Sequence, residues 1–173
     1  MAKADRYSIV ERLRDGSAFE IRALRPGDRD DMLAAIGRTS AQSLQRRFFV
    51  PKRGFSENEV SFFMNIDFEN HVALVAQLEE DGRPVIVGGG RYVLVQPTKA
   101  ELAFMVIDAY QGKGVGSALL RHLLALARAA GLEELKAEVL PENTAMLGML
   151  SAFGFHAAPA QDARVRNLIM RFS

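Results

Sequence analysis

Apolar and polar positions alternate along this chain in two distinct periods, and the changes of period mark out its elements. Ser8 to Leu13 and Ala18 to Leu24 are short strand-like runs on either side of Arg14-Asp15-Gly16-Ser17, and an Asp-Gly pair between such runs predicts a β-hairpin at about 7–25. Arg25-Pro26-Gly27-Asp28 ends the second run, and Asp28 is suited to cap a helix reaching about Ile36. Ser40 to Phe49 is a second helical segment. Ser56-Glu57-Asn58-Glu59 is a capping box that opens a third, through Phe63, after a mobile basic loop at Pro51-Lys52-Arg53-Gly54. From His71 the period becomes that of strands. His71 to Leu78, Pro84 to Val95 and Glu101 to Ile107 are separated by turns at Glu80-Asp81-Gly82 and near Pro97, which predicts a three-stranded antiparallel meander.

Beyond the meander, Val115, Leu119, His122, Leu123, Leu126 and Ala130 recur at helical spacing, with Gly131 placed to end the helix. A short strand at Leu135 to Leu140 follows, then a helix that Asn143 can cap and Gly154 can end, and a last strand at Arg166 to Phe172.

Composition narrows the function classes. A chain of 173 residues with 49% hydrophobic content is long enough for one well-filled core, so a single domain over 1–173 is expected. The 22 basic and 21 acidic side chains nearly cancel, which disfavours a polyanion such as nucleic acid as partner. The absence of cysteine removes disulfides, thiolate metal sites and a thioester-forming nucleophile together. His71, His122 and His156 form no metal-ligand spacing with one another, and no metal is expected. Met1 to Leu13 carries charges throughout and nothing like a signal peptide, and no apolar run is long enough to span a bilayer. These features point to a cytoplasmic protein without a membrane partner.

The most specific stretch is Val106 to Ser117, V-I-D-A-Y-Q-G-K-G-V-G-S, where an apolar strand turns through three glycines into a helix. Gly112, Gly114 and Gly116 leave backbone N–H groups uncovered at a helix N-terminus, a place that holds phosphate. Three cofactors compete for it. A P-loop needs a lysine and a hydroxyl residue after the last glycine, and Lys113 sits between glycines instead. A dinucleotide fingerprint follows the first strand of a repeating parallel unit, whereas an antiparallel meander precedes this turn and little chain follows. Coenzyme A is the third.

Here a resemblance enters. Gln111-Gly112-Lys113-Gly114-Val115-Gly116 resembles the Q/R-x-x-G-x-G/A motif of the GCN5-related N-acetyltransferase (GNAT) superfamily, and Asn143 to Phe155, N-T-A-M-L-G-M-L-S-A-F-G-F, resembles that family's next helix. Leu13-Arg14-Asp15-Gly16, Ile21-Arg22 to Asp28, Arg46-Arg47-Phe48-Phe49 and Ala100-Glu101-Leu102-Ala103 look like the acetyltransferase domain of bacterial protein lysine acetyltransferases of the Pat type. The resemblance implies an α/β fold of the α+β type: a mixed, mostly antiparallel sheet flanked by helices, with acetyl-CoA in a split between central strands. It implies that the turn Gln111, Gly112, Lys113, Gly114, Val115, Gly116 and Ser117 grips the cofactor's pyrophosphate. Val106 and Ile107 would lie along the pantetheine arm, and Asn143 would touch it while capping its helix.

Acetylating an amine requires a neutral nucleophile, and a lysine ammonium with a reference pKa of about 10.4 must first lose a proton. Glu101 is the candidate base. It begins the strand leading into the turn, shares a face with Ala103, Met105 and Ile107, and matches the glutamate that Pat-type enzymes use, by resemblance through water. A backbone N–H near Val106 or Ile107 is the expected donor to the thioester oxygen. One position departs from the family: many members carry a tyrosine as general acid where Leu150 stands here. Tyr110 is expected to pack, so the acid is unassigned. A thiol is far more acidic than an amine and leaves tolerably without one.

The expected reaction is direct acetyl transfer to an amine, with a protein lysine as leading acceptor. A small amine such as a polyamine, amino acid or antibiotic is the alternative, and a non-catalytic acyl-CoA-binding module is a third reading. Arg46, Arg47, Lys52 and Arg53 suit either an acidic acceptor or the 3′-phosphate of coenzyme A, and most of Phe48, Phe49, Phe55, Phe62 and Phe63 are expected in the core. A monomer or homodimer is expected.

Overall fold

The structure is a computed structural model, and it describes residues 4–48, 55–160 and 162–172. The strands are β1 (Ser8–Arg12), β2 (Ala18–Ala23), β3 (His71–Glu80), β4 (Arg83–Gln96), β5 (Lys99–Val106), β6 (Glu134–Val139), β7 (His156–Ala158) and β8 (Arg166–Arg171). The helices are α1 (Arg29–Gly37), α2 (Ala41–Phe48), α3 (Glu57–Met64), α4 (Val115–Ala129) and α5 (Thr144–Ala152). All eight strands form one sheet in the order β1-β2-β3-β4-β5-β6-β8-β7. Every neighbouring pair is antiparallel except β5 and β6. This is the mixed, mostly antiparallel sheet expected. The basic loop Pro51-Lys52-Arg53-Gly54 and Phe49 lie outside the described residues.

Local chemistry explains where most elements begin and end. The hairpin closes as Leu13 N–H donates to Ser17 O at 2.8 Å, with Gly16 at a φ of +90°. In the capping box of α3, Ser56 accepts from the Glu59 amide while the Glu59 carboxylate accepts from the Ser56 amide. Helix α4 ends in a Schellman arrangement: Gly131 N–H donates to Arg128 O and Leu132 N–H to Ala127 O. Asp28 differs from expectation. It stands at the N-cap position of α1, but its side chain makes no bond there. The carboxylate instead accepts from the Arg25 amide at 2.7 Å and from both terminal nitrogens of Arg22, at 2.7 and 2.9 Å. Burial alone would raise the Asp28 pKa, but these bonds hold it below the usual carboxylate value.

The sheet is covered on both faces. Strand β3 is therefore buried almost continuously rather than alternately. Gly88 and Gly90 of β4 face α4, whose Leu119, Leu120 and Leu123 are fully buried, while Gly89 and Arg91 face α1, α2 and α3. Gly90 permits this packing: a Cβ there would lie 2.7 Å from Leu123 Cδ1 and 3.0 Å from Phe104 Cβ. Three-residue β7, just before Pro159, is too short to leave a periodic trace in the sequence.

Candidate active site

The site begins where β5 and β6 part. Their parallel register runs from Lys99 opposite Glu134 to Leu102 opposite Ala137 and then stops, while β5 continues to Val106 and β6 to Val139. Ile107 N–H donates to Val87 O at 2.9 Å, on the β4 side. Strand N–H groups alternate in direction, so those of Phe104 and Val106 point the other way, into the gap that β6 has left. Of the two donors expected near the thioester oxygen, the Ile107 amide is occupied by the sheet. The Val106 amide faces the split.

Beyond Val106 the chain makes a short turn at Asp108–Tyr110 and enters the glycines. Gly112 and Gly114 adopt φ of +76° and +100°, and Gly114 is the N-cap of α4. No side chain caps α4, and its first turn carries no acidic residue, so the helix presents its amides and dipole uncompensated. They border a cleft of about 490 Å³ lined by Val106, Gln111, Gly112, Gly114, Gly116 and Ser117 at one end and by Phe104, Asn143 and Met146 farther along. An open, uncapped helix end on a long groove fits a pyrophosphate with a pantetheine arm, and the residues present fit coenzyme A.

Not every residue of the turn faces that groove. The Val115 and Ile107 side chains are each only 1% exposed, in the core. The Lys113 ammonium lies over the Tyr110 ring, 5.4 Å from its centroid, and only the Lys113 backbone belongs to the turn. Gln111 acts as a brace: its amide nitrogen donates to Val106 O at 2.9 Å and to Ser43 Oγ at 3.2 Å. Asp108 extends the brace, accepting from the Ser40 amide and hydroxyl and from the Ser43 hydroxyl, at 2.9 to 3.2 Å. Burial pushes the Asp108 carboxyl up, but those bonds outweigh it and its pKa is lowered. Ser40, Ser43 and Asp108 were not legible as site residues, since 65 or more residues separate the partners. Arg14 was likewise missed: the hairpin turn reaches across, Arg14 N–H donates to Lys113 O at 3.3 Å, and Arg14 lines the cleft.

A second cleft, of about 300 Å³, opens on the helix face of the split and includes Glu101, Arg47, Arg91, Phe62, Val93 and Asn143 in its lining. Glu101 lies opposite Val93 on one side and Lys136 on the other. Apolar side chains, Val93 and Phe62 among them, do line its cleft, but they do not enclose it. Its side chain is about half exposed, and one carboxylate oxygen lies 3.2 Å from Lys136 Nζ. Asn143 borders both clefts, and its side-chain oxygen caps α5 by accepting from the Met146 amide at 3.4 Å. Leu150 is fully buried. The Tyr110 hydroxyl is held by Glu80 at 2.5 Å, and that bond raises its pKa, consistent with a packing role. Of the aromatic residues expected in the core, Phe63 is buried while Phe62 is half exposed at the cleft mouth.

Residues 39–155 match the model of the acetyltransferase (GNAT) family. Acetyltransferase PA5475 of Pseudomonas aeruginosa is 34% identical over 84% of this chain and 79% of its own. Acetyltransferase Pat of Mycolicibacterium smegmatis is 31% identical over 84% of this chain, which spans 44% of that longer relative. Among solved structures, the GNAT domain of S. lividans PAT superposes with a TM-score of 0.87 at 30% identity, covering 95% of this chain and 97% of that one. The family match runs through the meander, the glycine turn and the Asn143 helix, the parts that shape both clefts, and the chain accordingly belongs to the acetyltransferase (GNAT) family, an acetyltransferase whose donor is acetyl-CoA.

Proposed function

We propose that the protein transfers the acetyl group directly to an amine, with a lysine on a protein as the leading acceptor, and that residues 1–173 form one N-acetyltransferase domain. The observation that carries this reading is the position of Glu101, on the open cleft beside the split rather than in the cofactor groove. Bound acetyl-CoA supplies a thioester carbonyl that an uncharged amine can attack. The glycine-turn amides hold the pyrophosphate, and the N–H groups of Phe104 and Val106 are available to an oxygen seated in the split. The Glu101 side chain, reached by solvent, attracts the incoming ammonium and takes its proton through water. Lys136 keeps the carboxylate in place while leaving about half of it open.

The alternative of a non-catalytic acyl-CoA-binding module has Leu150 in its favour, where no acid can stand. It leaves the open cleft around Glu101 unexplained. The deciding experiment is thiol release from acetyl-CoA against a panel of small amines and lysine-containing proteins from the same cell. Turnover on a protein with none on small amines supports the lysine reading. Tight cofactor binding without turnover favours the binding module.

A further inference from the structure

Arg47 of α2 and Arg91 of β4 both line the acceptor cleft and a smaller cavity of about 70 Å³ beneath α1 to α3. Neither has an acidic partner: among the described residues, no carboxylate lies within ion-pair distance of either guanidinium. Arg91 donates to Phe63 O at 3.1 Å and to His71 Nε2 at 2.9 Å, and lies 4.9 Å from the centroid of the Phe63 ring. Arg47 lies over the Phe48 ring at 4.6 Å.

Several other arginines of this protein, including Arg46 at the same cleft, are paired. Arg38 meets Glu80 at 2.7 Å, Arg46 meets Glu142 at 2.9 Å, and Arg121 meets Glu11 at 3.0 Å. Glu101, on the same sheet face as Arg91, is engaged by Lys136. Burial lowers the Arg47 pKa to about 10 and, with repulsion from Arg47, the Arg91 pKa to about 9. Two cations that repel each other in a largely apolar recess are an unfavourable arrangement unless an anion joins them.

We infer that Arg47 and Arg91 form a carboxylate-binding pair that selects acceptors bearing an acid group a few bonds from the reactive amine. This deepens the transferase reading and rests on it. Arg47 also borders the cofactor groove but Arg91 does not, and the two guanidiniums share only the acceptor cleft and the cavity beneath α1 to α3, so the pair as a unit belongs to the acceptor rather than to the cofactor's phosphates. Arg91 sits opposite Ala103, two residues along β5 from Glu101, so the two share a face about 7 Å apart along the strand. A carboxylate held at the arginines leaves an amine several bonds away beside Glu101. Half-exposed Phe62 and Val95, with Val93, offer an apolar wall to the intervening methylenes. Two sources share this chemistry: a free amino acid with a terminal amine, and a lysine flanked by an acidic residue in a polypeptide. Guanidinium pairs favour carboxylates through bidentate geometry.

The test compares kcat/KM on matched acceptors: free lysine against lysinamide, and a peptide with Glu beside its lysine against the same peptide with Gln. Wild type is expected to prefer the acidic member of one pair by at least about tenfold, the magnitude of one charged contact. The pair showing the preference identifies the source. In Arg47→Gln the ratio falls toward one, chiefly through KM, and Arg47→Lys, which keeps the cation, retains part of it. Equal kcat/KM within both pairs, or a preference that survives Arg47→Gln, overturns the inference. Absence of turnover on every amine counts against the transferase reading alone. The carboxylate site is then decided by calorimetry on the coenzyme A-loaded protein, with Nε-acetyl-lysine against its amide: tighter binding of the acid, lost in Arg47→Gln, supports it, and equal binding refutes it.

Discussion

Nη1 of Arg91 lies 2.9 Å from Nε2 of His71, and an arginine has nothing with which to accept, so the imidazole accepts there and is neutral. Burial, then the Arg91 charge, lowers the His71 pKa from 6.5 to about 4, against a small opposite pull from Asp67. The histidine thus helps hold a cleft-lining cation in position by staying uncharged.

A pH dependence of stability follows. Between pH 6.5 and about 4 the unfolded chain binds a proton at His71 that the folded chain does not. This contribution is complete above about pH 6.5 and declines as pH falls through that window, by at most about 3 kcal/mol. Urea unfolding at pH 7.5 and pH 5 should show a smaller loss of stability in His71→Gln than in wild type. An equal loss in both would remove His71 as the cause.

Glu101→Gln keeps the side chain's shape and abolishes its ability to take a proton. Acetyl-CoA affinity is expected to stay close to wild type while kcat falls by roughly 10² to 10⁴-fold, the contribution of a positioned base. Steady-state rates across pH check this. Unchanged turnover would assign the proton to another group.

Gly114 meets no protein atom within 4 Å of a built Cβ, so a clash inside the fold is not its constraint. Its φ of +100° and its place facing the cofactor groove are. Gly114→Leu is expected to abolish coenzyme A binding by calorimetry, because the side chain both strains the turn and covers the amides. Retained affinity would move the pyrophosphate away from this turn.

Asn143 can act as a helix cap or as a cofactor contact, and two substitutions separate these roles. Asn143→Ala removes the bond to the Met146 amide and should cost about 0.5–2 kcal/mol in denaturant unfolding. Asn143→Ser restores a cap. If its stability recovers while acetyl-CoA affinity remains weakened, the side chain also touches the cofactor; recovery of both leaves only the cap.

Gly90→Ala places a methyl group 3.0 Å from Phe104 Cβ and 2.7 Å from the end of Leu123. Leu123 can shift its tip, but Phe104 is tied to its strand, so a destabilisation of about 1–3 kcal/mol is expected from thermal or urea unfolding. A neutral result would mean that α4 moves freely on the sheet.

Local chemistry is written in neighbouring residues, and those features were legible in the chain alone. Asp15-Gly16, the Ser56–Glu59 box, Gly131 after α4 and the glycines after Val106 each act over a few positions, where steric and hydrogen-bonding preferences suffice. The meander and its order were readable for the same reason, since its turns are short. The fold family followed from two such local motifs standing in order.

Whatever depended on distant partners was decided by the tertiary structure. Sequence placed Glu101 among apolar neighbours by strand alternation, but the register of β6 sets Lys136 beside it. Asp28 looked like a helix cap until Arg22 and Arg25 turned its carboxylate away from α1. Val106 and Ile107 were equivalent as letters, and the end of pairing at Leu102 and Ala137 separated them, leaving one amide in the sheet and the other in the split. The Arg47 and Arg91 pair is the clearest case. The two residues lie on different elements, and that no carboxylate among the described residues comes within ion-pair distance of either, which gives the pair its meaning, is a property of three-dimensional packing that no linear pattern encodes.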